Sequence, residues 1–139
     1  MGGSGGRRGV TRSVLLDTHA FLWFAAGYPA MPVSAREIVV QADDVYVSAA
    51  SVWEARTKHR IGKLPIAAEL VASGLPTVVA QLGFRPLAVE VEDGDLAGSF
   101  SQSHRDPFDR MVVAQAIRRG LALVSNDAAL DAFGITRVW

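Results

Sequence analysis

Ser13-Val14-Leu15-Leu16-Asp17-Thr18-His19-Ala20-Phe21-Leu22-Trp23 is the stretch whose reading decides the fold. Residues 13–16 form a short apolar run, the pattern of a strand buried on both faces. Asp17 stands straight after it. Residues 18–26 then read as a short aromatic-rich helix, stopped by Gly27 and Pro29. A buried strand, an acid at its carboxyl end and a helix returning over the sheet make the opening unit of a parallel α/β fold.

The same unit recurs outward. Residues 34–42 read as a helix with Ser34 as N-cap and Glu37 three residues on, a capping box. Val45-Tyr46-Val47 is a second strand, followed by a helix over 49–60 that Gly62 closes. Residues 65–82 hold one or two further helices, broken near Gly74-Leu75-Pro76. Residues 87–89 read as a third strand and 93–100 as a helix. After the loop Ser103-His104-Arg105-Asp106-Pro107 comes a helix over 107–119, ended by Gly120. Residues 121–124 are a strand, 127–133 a helix and 136–139 a last strand. Short, continuously apolar strands alternating with helices predict a mostly parallel sheet covered on both faces. Ligands of such sheets sit beyond the carboxyl ends of the strands.

The chain has 139 residues, enough for one real core, and half of them are hydrophobic. No run is long and apolar enough for a membrane span, so no membrane partner is expected. The opening MGGSGGRRG lacks the apolar core of a secretory signal. Residues 1–12 are read as a flexible tail and 13–139 as a single domain. With no cysteine, disulfides, thiolate zinc sites and cysteine nucleophiles are excluded, and the composition suits a reducing cytoplasm. The formal net charge is zero, so overall charge does not announce a nucleic-acid binder, and local charge order matters more.

Acids collect at one predicted sheet edge. Asp17 follows the first strand. Glu54 lies about two turns into the helix after the second. Asp106 and Asp109 open the helix before the fourth strand, and Asp127 follows that strand after Ser125-Asn126. Each has an ordinary reading. Asp17 and Asp127 can cap helices, and Glu54 can pair with Lys58 one turn on. Asp106 before Pro107 is a usual N-cap, which leaves Asp109 at N3, the better ligand candidate of the two. Convergence is the stronger argument. Acids gathered at one edge repel unless a cation sits among them, and a hard divalent ion with oxygen ligands answers that need. An ion held so can activate water and stabilise the leaving oxygen in phosphodiester cleavage.

These residues resemble the PIN-domain family, and within it the VapC-type toxins of toxin–antitoxin pairs. Residues 14–23 are similar to the family's opening strand and first aspartate. Residues 47–54, with Lys58 and Gly62-Lys63-Leu64, resemble the segment bearing its glutamate. His104-Arg105-Asp106-Pro107-Phe108-Asp109-Arg110-Met111 resembles its third motif, and Leu123-Val124-Ser125-Asn126-Asp127 its fourth, with serine where threonine is common. Order and spacing match from Ser13 to Trp139. The resemblance implies a three-layer α/β/α PIN-like sandwich and a nuclease domain over 13–139. It implies Asp17, Glu54, Asp109 and Asp127 as the catalytic and metal-holding acids, with Asp106 set a turn before the third. It further implies magnesium or manganese, endoribonuclease activity on RNA, a homodimer, and a small VapB-like antitoxin as partner.

Lys58, Lys63, Arg105 and Arg110 are candidates for an RNA-phosphate track along the rim, against the plain reading of a solvated face. His19 and His104 lie near the acids but read as structural. Phe21, Trp23 and Phe24 read partly as core and partly as spare apolar surface for a partner. Three rival readings fit less well. A receiver-like signalling domain needs a lysine after a late strand, and none exists beyond Lys63. An aspartate-nucleophile phosphatase needs a second aspartate at 19, which is His. A catalytically silent PIN-like binding module would have lost a core acid, and none is missing. The kinase tripeptide spelled by His104-Arg105-Asp106 lacks its asparagine, the position being Met111.

Overall fold

The computed structural model describes residues 12–139; the expected flexible tail therefore lies, but for Arg12, outside the described residues. Five strands, β1 (Ser13–Leu16), β2 (Asp44–Ser48), β3 (Arg85–Leu87), β4 (Ala122–Val124) and β5 (Arg137–Val138), form one sheet in the order β3-β2-β1-β4-β5. Every pairing is parallel. The α-helices are α1 (Thr18–Ala26), α2 (Val33–Gln41), α3 (Ala49–Arg60), α4 (Ala68–Ser73), α5 (Leu75–Gln81), α6 (Val91–Ser99) and α7 (Pro107–Arg119). Short 3₁₀ segments span Pro65–Ala67 and Ala128–Phe133.

The continuous apolar run of β1 follows from its central place. Side chains alternate between faces along a strand, and both faces are covered. Val14 and Leu16 enter a core with Phe21 and Leu22 of α1, Val39 of α2 and Val79 of α5. Leu15 enters the opposite core with Val112, Val113 and Ala116 of α7. All three β1 residues are fully buried. Two cores separated by one sheet are the three layers of an α/β/α sandwich.

Chain reversals follow sequence. Gly27 ends α1 with φ +64° and its N–H on the Phe24 carbonyl; Gly120 ends α7 with φ +63°. Both positions need the left-handed backbone that glycine adopts without strain.

Three expectations are corrected. Helix α2 begins at Val33 behind an extended Pro32, and Ser34 makes no cap bond. Burial of Ala35 and Val39 one turn apart sets its phase, and the Arg36 N–H bonds the Pro32 carbonyl, so the first turn opens before Ser34. Strand β3 lies at 85–87 rather than 87–89, in register with Tyr46, Val47 and Ser48. Pro86 fits there because β3 is an edge strand, with one side free of ladder bonds. Helix α6 begins at Val91, two residues early, with Asp93 Oδ2 accepting the Glu90 N–H as a cap.

Candidate active site

The strand order places the carboxyl ends of β2, β1 and β4 side by side, and the chain direction of travel across the sheet reverses at β1. Such a switch point leaves a crevice between the loops that leave in opposite directions. Asp17, Ser48 and Ser125 each stand at or just after one of these three strand ends.

Asp17 is held at both ends. Its backbone N–H bonds the Val124 carbonyl at 3.1 Å, extending the β1–β4 ladder. Its Oδ1 accepts the Ala20 N–H at 2.8 Å, capping α1. The residue is only 8% exposed. Burial pushes its pKa up to about 6, with the Ser125 side chain, the Ala20 N–H and His19 pulling back and the Asp109 charge adding to the rise.

Glu54 projects from α3 into the interior and is 2% exposed. One carboxylate oxygen accepts from the buried Thr18 hydroxyl and the other from Lys58 Nζ. The i,i+4 pair with Lys58 exists, but with a buried acid at one end rather than on the surface. Glu54 holds the Lys58 pKa above its ordinary value against partial burial, and Asp106 and Asp109 add to the effect. Lys58 is thus a resident cation of the acid cluster.

Asp106 caps α7, its Oδ1 accepting from the N–H groups of Phe108 at 2.9 Å and Asp109 at 3.1 Å. Asp109, in the first turn, pairs through Oδ2 with His104 Nε2 at 2.9 Å. With Asp109 ionised, the ring nitrogen donates. Burial raises the Asp109 pKa; His104 opposes this, while Asp106 and Glu54 reinforce it. Asp127 caps the 128–133 segment through the Ala129 N–H, and its own N–H bonds Ser125 Oγ at 3.1 Å.

His104, Asp109 and Asp127 each present one ligand atom within 4.8 Å of the other two. Asp17 and Glu54 lie outside this trio but feel, or are felt by, the Asp109 charge. The donor set fits a divalent cation. Carboxylates suit magnesium, and an imidazole nitrogen beside them moves the preference toward a transition metal such as manganese. Mutual repulsion among the acids is what such an ion would relieve.

The basic candidates divide. Lys63 and Arg105 are exposed. Arg110 departs from expectation. Its guanidinium donates to the carbonyls of Ala97, Phe100, Gln102 and His104 at 2.7–3.1 Å, fastening the loop before α7. Four of its five N–H donors are taken by the loop, which makes it a brace for the chain rather than part of a phosphate track. His104, expected near the acids and read as structural, does stand among them, with Nε2 on Asp109 and a ligand atom turned toward Asp127. Its place in the loop five residues before Asp109 was the available signal.

The PIN domain family model matches residues 14–135. The chain belongs to the PIN domain family. This PIN domain is 29% identical over 120 residues to Ribonuclease VapC22 of Mycobacterium tuberculosis, covering 85% of this chain and 89% of that protein. Its fold matches VapBC2 from Rickettsia felis, solved bound to a DNA fragment from its promoter, with a TM-score of 0.68 at 13% identity over 91% of this chain and 97% of that one. It also matches Mycobacterium tuberculosis VapC20, a Sarcin-Ricin loop cleaving toxin, with a TM-score of 0.64 at 17% identity over 90% and 98% of the two chains. The sheet and helix layers of this PIN domain are thus those of solved VapC toxins. No helix among the described residues is long and apolar enough to cross a membrane.

Proposed function

We propose that this PIN domain is a divalent-cation-dependent endoribonuclease, the toxin of a toxin–antitoxin pair, using magnesium or manganese. The observation that carries the proposal is the trio His104, Asp109 and Asp127 at the switch point, backed by the buried Asp17 and Glu54. Likeness to a ribonuclease over most of both chains supports the substrate class.

A cation bound there would supply an activated water and charge neutralisation at the scissile phosphate. The chain's residues do the rest. Asp109 and Asp127 would hold the ion, with Asp17 and Glu54 completing the negative field around it. Ser125 and the α1 backbone fix the Asp17 carboxylate, while Thr18 and Lys58 fix Glu54. Groups already locked in place need little reorganisation when charge develops on the phosphate. Lys58, Lys63 and Arg105 would hold the RNA backbone without reading its sequence.

A VapB-like antitoxin is the proposed protein partner, supported by fold likeness to a chain solved as VapBC2, and the working form is proposed to be a homodimer in the cytoplasm.

The test is incubation of the purified, antitoxin-free chain with total cellular RNA, with magnesium, with chelator, and with Asp17→Asn or Asp109→Asn alongside. Discrete fragments that vanish with chelator and in both variants are expected. Fragments that persist in chelator, or at the normal rate in either variant, would overturn the site.

A further inference from the structure

Beside the acid cluster lies a surface the catalytic reading does not use. Trp53 immediately precedes Glu54, and Phe108 immediately precedes Asp109. Trp53 is 65% exposed, an unusual state for the largest apolar side chain. It is not loose. Its ring stands nearly perpendicular to that of Phe108, at 77° and 4.9 Å between centroids. The two rings, with Val89, Pro107 and Met111, line an apolar cavity of about 310 Å³. That volume is at the small end of organic-ligand sites.

Its charge setting selects the occupant. Arg56 follows Trp53 by three residues on α3, which puts both on one helical face, and Arg105 lies two residues before Pro107. Both arginines are exposed, and among the described residues neither joins an ion pair. An exposed indole face braced edge-to-face by Phe108, with two unpaired arginines close by along the chain, suits a ligand with a π-face and neighbouring phosphates. Single-stranded RNA has that chemistry, and proteins grip it by stacking bases on aromatic rings.

We propose that Trp53 and Phe108 form a stacking site for a nucleobase of single-stranded RNA, next to the phosphate that the acid cluster addresses. The proposal deepens the ribonuclease reading and rests on it. The site would splay one base out of the strand and thereby set which backbone linkage reaches Asp109. Stacking is tolerant of base identity, so the slot would confer single-strand preference rather than a sequence.

The test uses the full chain carrying Asp17→Asn, so that RNA is not consumed, and a labelled mixed-sequence single-stranded oligoribonucleotide read by fluorescence anisotropy. Adding Trp53→Ala should weaken binding roughly five- to hundredfold, the range of one lost base–aromatic stack. Trp53→Phe should restore most of it. An abasic oligomer of the same length should bind equally well with and without the Trp53→Ala change, since it has nothing to stack. Circular dichroism and light scattering accompany each titration. Equal affinity of the Trp53→Ala chain for the intact oligomer would overturn the stacking site alone. So would loss of a larger assembly in Trp53→Ala with RNA affinity per chain unchanged, which would make the patch a protein–protein surface. No RNA binding by any chain, together with no cleavage by the unsubstituted protein, would overturn the ribonuclease reading as well.

Discussion

His104 Nε2 and Asp109 Oδ2 stand 2.9 Å apart, with Asp127 close enough to share a ligand with either. One histidine therefore sits where it can orient the central acid or, on the proposed function, bind the cation itself. Both roles give the same first-order expectation. His104→Ala should weaken manganese or magnesium binding by about 10- to 100-fold, the usual effect of losing a group that orients or supplies a ligand. Calorimetric titration of the purified chain checks it. Unchanged affinity would remove His104 from the site.

Asp17 predicts an inverted pH dependence of stability. Its pKa rises from 3.8 to about 6 on folding, so the folded chain holds this proton more tightly than the unfolded one. The stabilisation from protonated Asp17 is complete below about pH 4 and is lost as pH rises through 6. The penalty above that range is about 3 kcal/mol at 1.36 kcal/mol per unit. Asp17→Asn keeps an oxygen for the Ala20 N–H but cannot ionise. Without metal, it should gain stability relative to the unsubstituted chain between pH 4 and 7. Added magnesium should shrink the gap, because the ion favours the carboxylate. Urea unfolding at stepped pH measures this, and a gap independent of pH would contradict the burial argument.

Arg110→Ala should destabilise the fold by at least about 2 kcal/mol, since four carbonyls lose a charged donor. Amide exchange should speed up first across residues 100–106. Arg110→Lys should recover only part of the loss, because an ammonium cannot span four acceptors as a planar fork does. A variant as stable as the parent in denaturant titration would show that the loop is held by other means.

Asp93 is fully buried and receives both Arg118 and Arg119 from the last turn of α7. Burial favours the neutral acid, yet hydrogen bonds from Arg119, the Glu90 backbone and Arg118 hold its pKa below the ordinary value. Asp93→Ala should cost about 3 kcal/mol, the low end for breaking a buried pair, because both arginines can turn to solvent. The thermal midpoint should fall accordingly, with no direct effect on metal affinity.

Much of the architecture was legible because both faces of the sheet are covered. That covering makes β1, β2 and β4 continuously apolar, and glycines at 27 and 120 mark real helix ends. Strand β3 was harder to place. Leu87-Ala88-Val89 looks more strand-like than Arg85-Pro86-Leu87, but an edge strand takes its register from its neighbour rather than from its own hydrophobicity. Ser34 illustrates a similar limit, since its capping pattern lost to the phase set by Ala35 and Val39. In the site, acids could be gathered at one edge because each lies just past a strand's carboxyl end or in a helix next to one. Arg110 and His104 could not be sorted, because the difference between them is side-chain direction within one loop. Trp53 carries no signal in the sequence beyond its place before Glu54, and its exposure is what distinguishes it.

The central strand has a further consequence for how the molecule matures. Val14 pairs with Ala122, more than a hundred positions away along the backbone. Closing so long a span before its contacts can reward it makes assembly slow. Asp17 and Asp127 face a common crevice only once that span has closed. On the proposed function, ion capture would therefore be a late event, a signal of completed folding rather than a seed for it. A half-formed chain would carry the acids without bringing them together, so the proposed nuclease would stay silent until its last strands join.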